Sequence, residues 1–403
     1  MQRQRWFADS NRSVLVMAAL LMVYSALKGL RFPNLWSYTH YLFNYDAGFV
    51  KRGLIGELIR YVDAPVMLSY VFFCIFSFTV VIAILILLIH LAGRALRDGD
   101  IYRAFCVLMF ATSVALVMLT HTVGYFDHLG LLVTLLVLTV RGWRLKAALA
   151  SVLFPLALLA HEAALVLYFP VLFVMFYLDW DDHPTPAKVV FLTLFTLVCV
   201  ALTYAVSHAV LPYETVSQLY SATQQQHGIT LRQDAYDVLH RVVGDNLLIM
   251  QDHWQTVNYR GGLMASALAA LPTAFFISAL TMGYMHQLNR SRISKVLAIL
   301  ASYAPLVLHI AAWDAPRFNS QVIMSSFLVF LIVASSNAPS IQLSSRHQWL
   351  ATAVFVGLML FNLTLTLALF DGYQIVHFPF PAHQHYLQSV LGGDMPILQI
   401  PSR

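Results

Sequence analysis

The chain has 403 residues, of which 59% are hydrophobic and 11% are charged, whereas ordinary soluble domains carry about 25% charged residues. Apolar runs this long and frequent exclude a set of soluble domains. Runs of about 20 apolar residues cross a bilayer as helices, because all backbone groups are then paired internally. The net charge is +5, but the basic residues lie in short connections between apolar runs. Membrane topology explains that pattern better than nucleic-acid binding.

The apolar runs predict an all-α, polytopic transmembrane helical bundle, with residues 1–403 forming a single transmembrane domain. The first run begins at Ser13 after a basic start and ends at Lys28 and Arg31 without a small-residue cleavage site, so we expect an uncleaved first span. The stretch 147–178 is too long for one crossing, and its His161-Glu162 pair indicates a turn. The eleven predicted spans are 13–31, 66–93, 101–120, 127–140, 147–160, 163–178, 188–211, 262–285, 296–313, 318–337 and 348–370.

The distribution of Lys and Arg predicts the orientation. With the N-terminus in the cytoplasm, six inner segments carry basic residues, whereas the short outer turns 121–128 and 161–162 carry none. The protein is then expected in the plasma membrane, with two larger outer loops at 32–65 and 212–261 and an outer tail from Asp371. The inner basic residues are Arg3, Arg5 and Arg12 before the first span, and Arg94, Arg97, Arg103, Arg141, Arg144, Lys146, Lys188, Arg290, Arg292, Lys295 and Arg346.

Both outer loops contain apolar residues at helical spacing, which is typical of amphipathic helices lying on a membrane surface. In the first loop these residues are Phe49, Leu54, Ile55, Leu58, Ile59 and Val62. In the second they are Leu231, Ala235, Val238, Leu239, Val242 and Val243.

The first outer loop carries three candidate functional residues. Asp46 can act as a general base that takes a proton from an acceptor hydroxyl, or it can cap a helix. Lys51 and Arg52 place positive charge where the topology bias disfavours it. A lipid-linked phosphate would explain them, because Arg and Lys bind phosphate oxygens. Binding of the surface helix to anionic headgroups is the alternative.

Two outer turns carry His and acidic residues: His121, Asp127 and His128 in one, and His161 with Glu162 in the other. They are candidates for proton transfer or for lining a cavity. No HExxH spacing is present, and neighbouring residues of a helix point to different faces. A polar network is at least as good an interpretation as a metal site. Cys74, Cys106 and Cys199 lie in apolar runs at unrelated spacings, which is not a zinc pattern.

The sequence Trp313-Asp314-Ala315-Pro316-Arg317 lies at the outer end of the ninth predicted span. Trp313 is typical of interfacial anchoring, and Asp314 and Arg317 can simply pair. Arg317 can instead bind a phosphate leaving group and stabilise its growing negative charge. We favour this second hypothesis.

With these residues, the chain resembles the integral-membrane glycosyltransferases of the GT-C superfamily. The stretch Tyr45-Asp46-Ala47-Gly48-Phe49-Val50-Lys51-Arg52-Gly53-Leu54 is similar to one in many bacterial proteins of this type, although the Asp-x-Asp or Glu-x-Asp form of some members is absent. The resemblance implies a sugar donor on a polyprenyl phosphate or pyrophosphate and a glycan, lipid or protein acceptor. It implies Asp46 as the base and Lys51, Arg52 and Arg317 as phosphate-binding residues. The expected cavity residues are Tyr45, Asp127, His128, His161, Glu162, Trp313 and Asp314.

No cofactor is indicated by the sequence, and a divalent metal stays open. Three other functions also stay open. A polysaccharide polymerase or ligase would use arginines of the second loop, such as Arg232, Arg241 and Arg260. A lipid or solute transporter would carry charges at the bilayer midplane and often an inverted repeat, and neither is evident. A purely structural subunit would not need the outer polar residues.

Overall fold

The computed structural model describes residues 2–62, 65–227, 231–336, 339–369 and 375, and its described elements are helices. The outer tail predicted from Asp371 lies outside the described residues, apart from residue 375. Three 3-10 helices join the α-helices, at Pro65–Leu68, Asp237–Leu239 and Ala304–Ile310. The α-helices are α1 Gln2–Gly29, α2 Leu35–Tyr41, α3 Leu54–Val62, α4 Tyr70–Ala95, α5 Ile101–Ala111, α6 Val114–His121, α7 Asp127–Thr139, α8 Trp143–Ala160, α9 Ala164–Leu167, α10 Phe169–Asp182, α11 Pro186–Ser207, α12 Tyr213–His227, α13 Gln233–Tyr236, α14 Val243–Gln255, α15 Val257–Gln287, α16 Arg292–Tyr303, α17 Ala315–Ala334 and α18 Ser345–Thr364.

Nine helical segments in the described part of the chain are long and apolar enough to cross a membrane. The chain is therefore built as a multi-pass membrane protein. Two predicted spans, 127–140 and 163–178, correspond to the shorter helices α7 and α10, of 13 and 14 residues. The count of eleven spans stays a prediction.

Helix α17 lies at the centre of the bundle, and all of its residues are buried. Its largest contacts are with α15 and α16, and it also packs against α5, α6 and α10. The Phe110 and Phe327 rings stack with their centroids 3.8 Å apart. Because α17 is fixed on all sides, the residues at its N-terminal end, Asp314 and Arg317, have well-defined positions.

One predicted span contains a break, and one predicted turn between spans is present. The predicted span 101–120 is divided between α5 and α6, where the Thr112 and Ser113 hydroxyls donate to carbonyls of the preceding turn. Such local hydrogen bonds compete with helix continuation. The turn predicted at His161-Glu162 is confirmed: α8 ends at Ala160, and His161 is extended, with φ −158° and ψ 115°.

The two predicted surface helices differ in outcome. In the segment 32–65, α3 begins at Leu54 and exposes Leu58 and Val62 while Ile59 is buried. The segment 212–261 has no continuous helix across the second apolar pattern. Its residues divide between α13, a 3-10 turn and α14. Leu231 and Leu239 are buried in the same apolar cluster as Tyr38 and Tyr41 of α2. These residues therefore form a small core instead of an apolar face on the membrane surface.

Candidate functional site

A cavity of about 410 Å³ lies where distant parts of the chain meet. The contributing parts are the connections after α1, α2 and α6, the turn after α8, residues 232–246, and the residues between α16 and α17. Among the described lining side chains, five are basic and three are acidic. The lining residues are Asn34, Leu35, Trp36, Lys51, Arg52, Tyr125, Glu162, Arg232, Asp234, Val238, Arg241, Asn246, Ala311, Ala312, Trp313, Asp314 and Arg317.

Lys51 and Arg52 reach the cavity from a tight turn that precedes α3. Arg52 has a φ of 62°, in the left-handed region that costs an L-residue about 1–2 kcal/mol. At Gly53 a Cβ would lie 2.5 Å from Cε1 of the Tyr45 ring, so the turn requires glycine there. Strained backbone of this kind is concentrated at functional sites. The turn therefore directs the Lys51 and Arg52 side chains into the cavity.

Arg52 connects three side chains beneath the cavity. Its Nη2 lies 3.2 Å from Glu162 Oε1, and its Nη1 lies 3.2 Å from His40 Nε2. Its guanidinium also lies over the Trp36 ring, 5.5 Å from the centroid. Arg52 is thus held by one carboxylate and two rings.

Glu162 is the acidic partner of this cluster. Burial works to raise the pKa of Glu162, but the charge of Arg52, with smaller contributions from His161 and Lys51, outweighs burial and holds the pKa well below its usual range. The carboxylate is therefore ionised at neutral pH. Its Oε2 accepts no hydrogen bond from the described residues.

Arg317 is buried between two carboxylates. Its Nε lies 3.0 Å from Asp127 Oδ2, and its Nη1 lies 2.6 Å from Asp314 Oδ2. The guanidinium also lies over the Tyr125 ring, 5.3 Å from the centroid. A charge taken out of water requires such pairing. Arg317 therefore forms part of the cavity wall with its charge already compensated.

His161 supports Asp127 from the opposite side. The backbone N–H of Ala163 donates to His161 Nδ1 at 3.1 Å, so the proton of the neutral ring lies on Nε2. That nitrogen is 3.5 Å from Asp127 Oδ1. Burial, together with the charge of Arg52, lowers the pKa of His161 to about 4 despite the nearby carboxylates. The ring is therefore neutral at pH 7.

Lys51 differs from the other basic residues of the cavity. Its Nζ donates to the carbonyl of Arg241 at 2.5 Å, and in the described part of the chain no carboxylate lies within ion-pair distance of it. An ammonium group has three donors, so Lys51 can still donate to a ligand. Burial lowers the pKa of Lys51, which reflects the cost of keeping this charge without a direct counter-ion.

The remaining two arginines of the cavity are paired nearer to solvent. Arg232 binds Asp234 with two hydrogen bonds, of 2.8 and 2.6 Å. Arg241 Nη2 lies 2.7 Å from Asp237 Oδ2. Both pairs are partly exposed, so each contributes little to stability.

The structure brings together most of the predicted site. Six predicted residues line the cavity: Lys51, Arg52, Glu162, Trp313, Asp314 and Arg317. Asp127 and His161 lie directly behind it, through Arg317 and Glu162.

Three predicted residues do not line this cavity. The half-exposed Asp46 pairs with Arg60, with Oδ1 and Nη1 3.2 Å apart. The Tyr45 ring packs on Gly53, and His128 Nε2 lies 3.4 Å from Thr122 Oγ1. The role of Asp46 as a base stays a prediction.

Several contributors to the cavity were not among the predicted site residues. Arg232 and Arg241 were considered only for the alternative polymerase or ligase. Trp36 lies on the short helix α2, which is not among the predicted elements. Asn34 caps this helix by accepting a hydrogen bond from the Ser37 N–H at 2.9 Å. The signal was an Asn before an aromatic-rich run, since Asn is favoured as an N-cap.

Within the described ranges, no three His, Cys, Asp or Glu side chains are grouped so as to hold a metal ion. Comparison of the chain with protein-family models, curated proteins and solved structures finds no match. The function is therefore argued from the residues of the cavity.

We expect Asp127→Asn to lower the free energy of unfolding by about 3–5 kcal/mol, because it removes one partner of a buried ion pair. The matched change Asp46→Asn, in a half-exposed pair, should cost less than about 1 kcal/mol. Unfolding in detergent micelles measures both. Equal losses in the two variants would contradict the buried pairing of Arg317.

We expect stability to fall as the pH is lowered from about 6.5 toward 4. In that window the unfolded chain takes up a proton at His161 that the folded protein, with its pKa of about 4, does not accept. His40, whose pKa burial and Arg52 also lower, acts in the same direction. Melting temperatures across this range should depend less on pH in His161→Asn than in the wild type. An unchanged dependence in His161→Asn would refute the neutral state.

Proposed function

We propose that the protein is a membrane glycosyltransferase that moves a sugar from a polyprenyl-phosphate or polyprenyl-pyrophosphate carrier to an acceptor. The observation that carries the proposal is the cavity, where basic side chains outnumber acidic ones and no carboxylate among the described residues pairs with Lys51. The resemblance of the Tyr45–Leu54 stretch to GT-C glycosyltransferases supports the same reading.

The basic residues suit a phosphate ligand. Lys51 supplies an uncompensated positive charge with spare donors. Arg232 and Arg241 are partly exposed, so each guanidinium can exchange its carboxylate for a phosphate at small cost. Arginine binds phosphate with two parallel hydrogen bonds. The Arg317 side chain, held by two carboxylates, instead fixes the shape of the wall.

In this proposal the reaction is a displacement at the anomeric carbon. The acceptor oxygen bonds to that carbon while its bond to the carrier phosphate breaks, and the phosphate oxygen keeps the electron pair. Lys51 and the arginines stabilise the negative charge that grows on the leaving phosphate. Glu162, ionised and in the cavity wall, accepts the proton of the acceptor hydroxyl, because the negative charge of a bound phosphate raises the pKa of this carboxylate above its value in the empty cavity.

The proposal places the cavity on the extracytoplasmic side of the plasma membrane. The basic residues Arg94, Arg97, Arg141 and Arg144 lie at the end of α4 and in the connection from α7 to α8, away from the cavity. An excess of Lys and Arg in short loops is typical of the cytoplasmic side. A lipid-linked donor would then be used on the outer face.

A polysaccharide polymerase or ligase that uses a lipid-pyrophosphate-linked glycan is the second candidate. It is favoured by Arg232 and Arg241, which line the same cavity as Lys51. Arg260, the third arginine considered for that function, is exposed and donates to the Gln255 carbonyl. The product separates the two candidates: a single added sugar supports the transferase, and a transferred oligosaccharide supports the polymerase or ligase.

We expect Lys51→Met to lower sugar transfer at limiting donor about 10- to 100-fold, as the loss of a hydrogen bond to a charged group implies. The assay supplies proteoliposomes with a panel of radiolabelled sugars on polyprenyl phosphate and pyrophosphate. The control Lys295→Met removes a lysine at the start of α16 and should keep wild-type transfer. Wild-type rates in Lys51→Met, or no turnover of any donor by the wild type, would count against the proposal.

We further expect Glu162→Gln to abolish most transfer, by about 100-fold or more, because general-base catalysis contributes about 10²–10⁴-fold. Asp46→Asn should leave transfer within a few-fold of the wild type, because Asp46 is paired with Arg60 away from the cavity. The same assay measures both variants. The opposite ranking would restore Asp46 as the base.

A further inference from the structure

A second basic region lies away from the cavity, where α4 ends and the connection from α7 enters α8. It consists of Arg94, Arg97, Arg141, Arg144 and Lys146, called here the basic rim. In the described part of the chain, none of the five is within ion-pair distance of a carboxylate. Nearby acids are engaged elsewhere: Asp98 pairs with Arg103 at 2.5 Å, and Asp179 pairs with Lys188 at 2.8 Å.

Two residues of the rim line a narrow crevice between helices. A cavity of about 30 Å³ there is lined by Arg94 and Lys146 and by apolar residues of α4, α7, α10 and α17, including Leu138, Met175 and Leu331. Arg94 is fixed at the edge, because its Nη1 donates to the Thr139 carbonyl at 3.1 Å. The side-chain Nζ of Lys146 makes no hydrogen bond within the described residues, so its donors remain for a ligand.

The helices that carry the rim also expose apolar side chains. Ile86 on α4 and Leu145 and Val152 on α8 are exposed, as expected for helices that face acyl chains. A ligand that fits both parts has a phosphate for the basic rim and a hydrocarbon chain for the helix faces. An anionic phospholipid has this chemistry.

We propose that the basic rim binds the phosphate of an anionic phospholipid whose acyl chain lies along the exposed apolar residues of α4 and α8. Topology alone accounts for basic residues in these connections, but it does not account for Lys146 and Arg94 lining one crevice with no carboxylate of the described residues within ion-pair distance. Basic pockets between membrane helices are known to hold anionic headgroups. This inference does not depend on the proposed glycosyltransferase activity.

The test compares dioleoylphosphatidylglycerol with dioleoylphosphatidylcholine, added to the purified full chain in detergent. Native mass spectrometry measures bound lipid, and melting temperature measures stabilisation, which any ligand of the folded state produces. We expect the anionic lipid to bind at least tenfold more tightly. Equal binding of the two lipids by the wild type, or equal stabilisation by inorganic phosphate alone, would overturn the inference.

Variants locate the site. Each cation near an anionic headgroup contributes about fivefold in affinity, so R141Q/R144Q/K146Q should remove the preference for the anionic lipid. The matched control R292Q/K295Q/R346Q removes the same charge elsewhere and should retain the preference. Lys146→Arg should also retain it, which guards against a folding defect in the triple variant. An equal loss in both triple variants would show unspecific charge attraction and refute the site.

Discussion

The cost of burying ionised groups determines how this end of the helical bundle is arranged. Arg317 lies on a helix that is buried on all sides, so its guanidinium needs carboxylates within hydrogen-bonding distance. Asp127 and Asp314 supply them at 3.0 and 2.6 Å. Since Asp127 is the first residue of α7, its pairing with Arg317 fixes α17 against the N-terminal end of α7. The cavity exists because these elements are held in register.

The same constraint divides the basic residues into two groups. Arg317 and Arg52 are buried and compensated, so they shape the cavity and hold its acidic partners in place. Lys51 has no carboxylate partner in the described residues, and Arg232 and Arg241 have partners that water can replace. A phosphate would therefore bind to the second group. The basic residues that shape the cavity wall therefore differ from the basic residues that would bind the ligand.

The helices could be predicted from the sequence because each apolar run is a local signal. The turn at His161-Glu162 was predictable for the same reason, since a run longer than the bilayer has to reverse. Asp46 shows the limit of this reasoning. Nothing in its local sequence indicates that it pairs with Arg60, because that contact depends on how α3 folds back on the preceding turn. His40 and Arg232 likewise join the site only through long-range packing of α2 on α13. The break at Thr112-Ser113 has a local cause, but hydroxyl residues occur in continuous membrane helices too.

In the function we propose, the positive charge of this cavity binds the phosphate of a lipid carrier. A structure of the protein with citronellyl phosphate, a short isoprenyl phosphate, locates that binding site. We expect the phosphate within hydrogen-bonding distance of Lys51 Nζ, with Arg241 or Arg232 turned from its carboxylate toward the ligand. A phosphate bound elsewhere, with Lys51 still donating only to the Arg241 carbonyl, would contradict it.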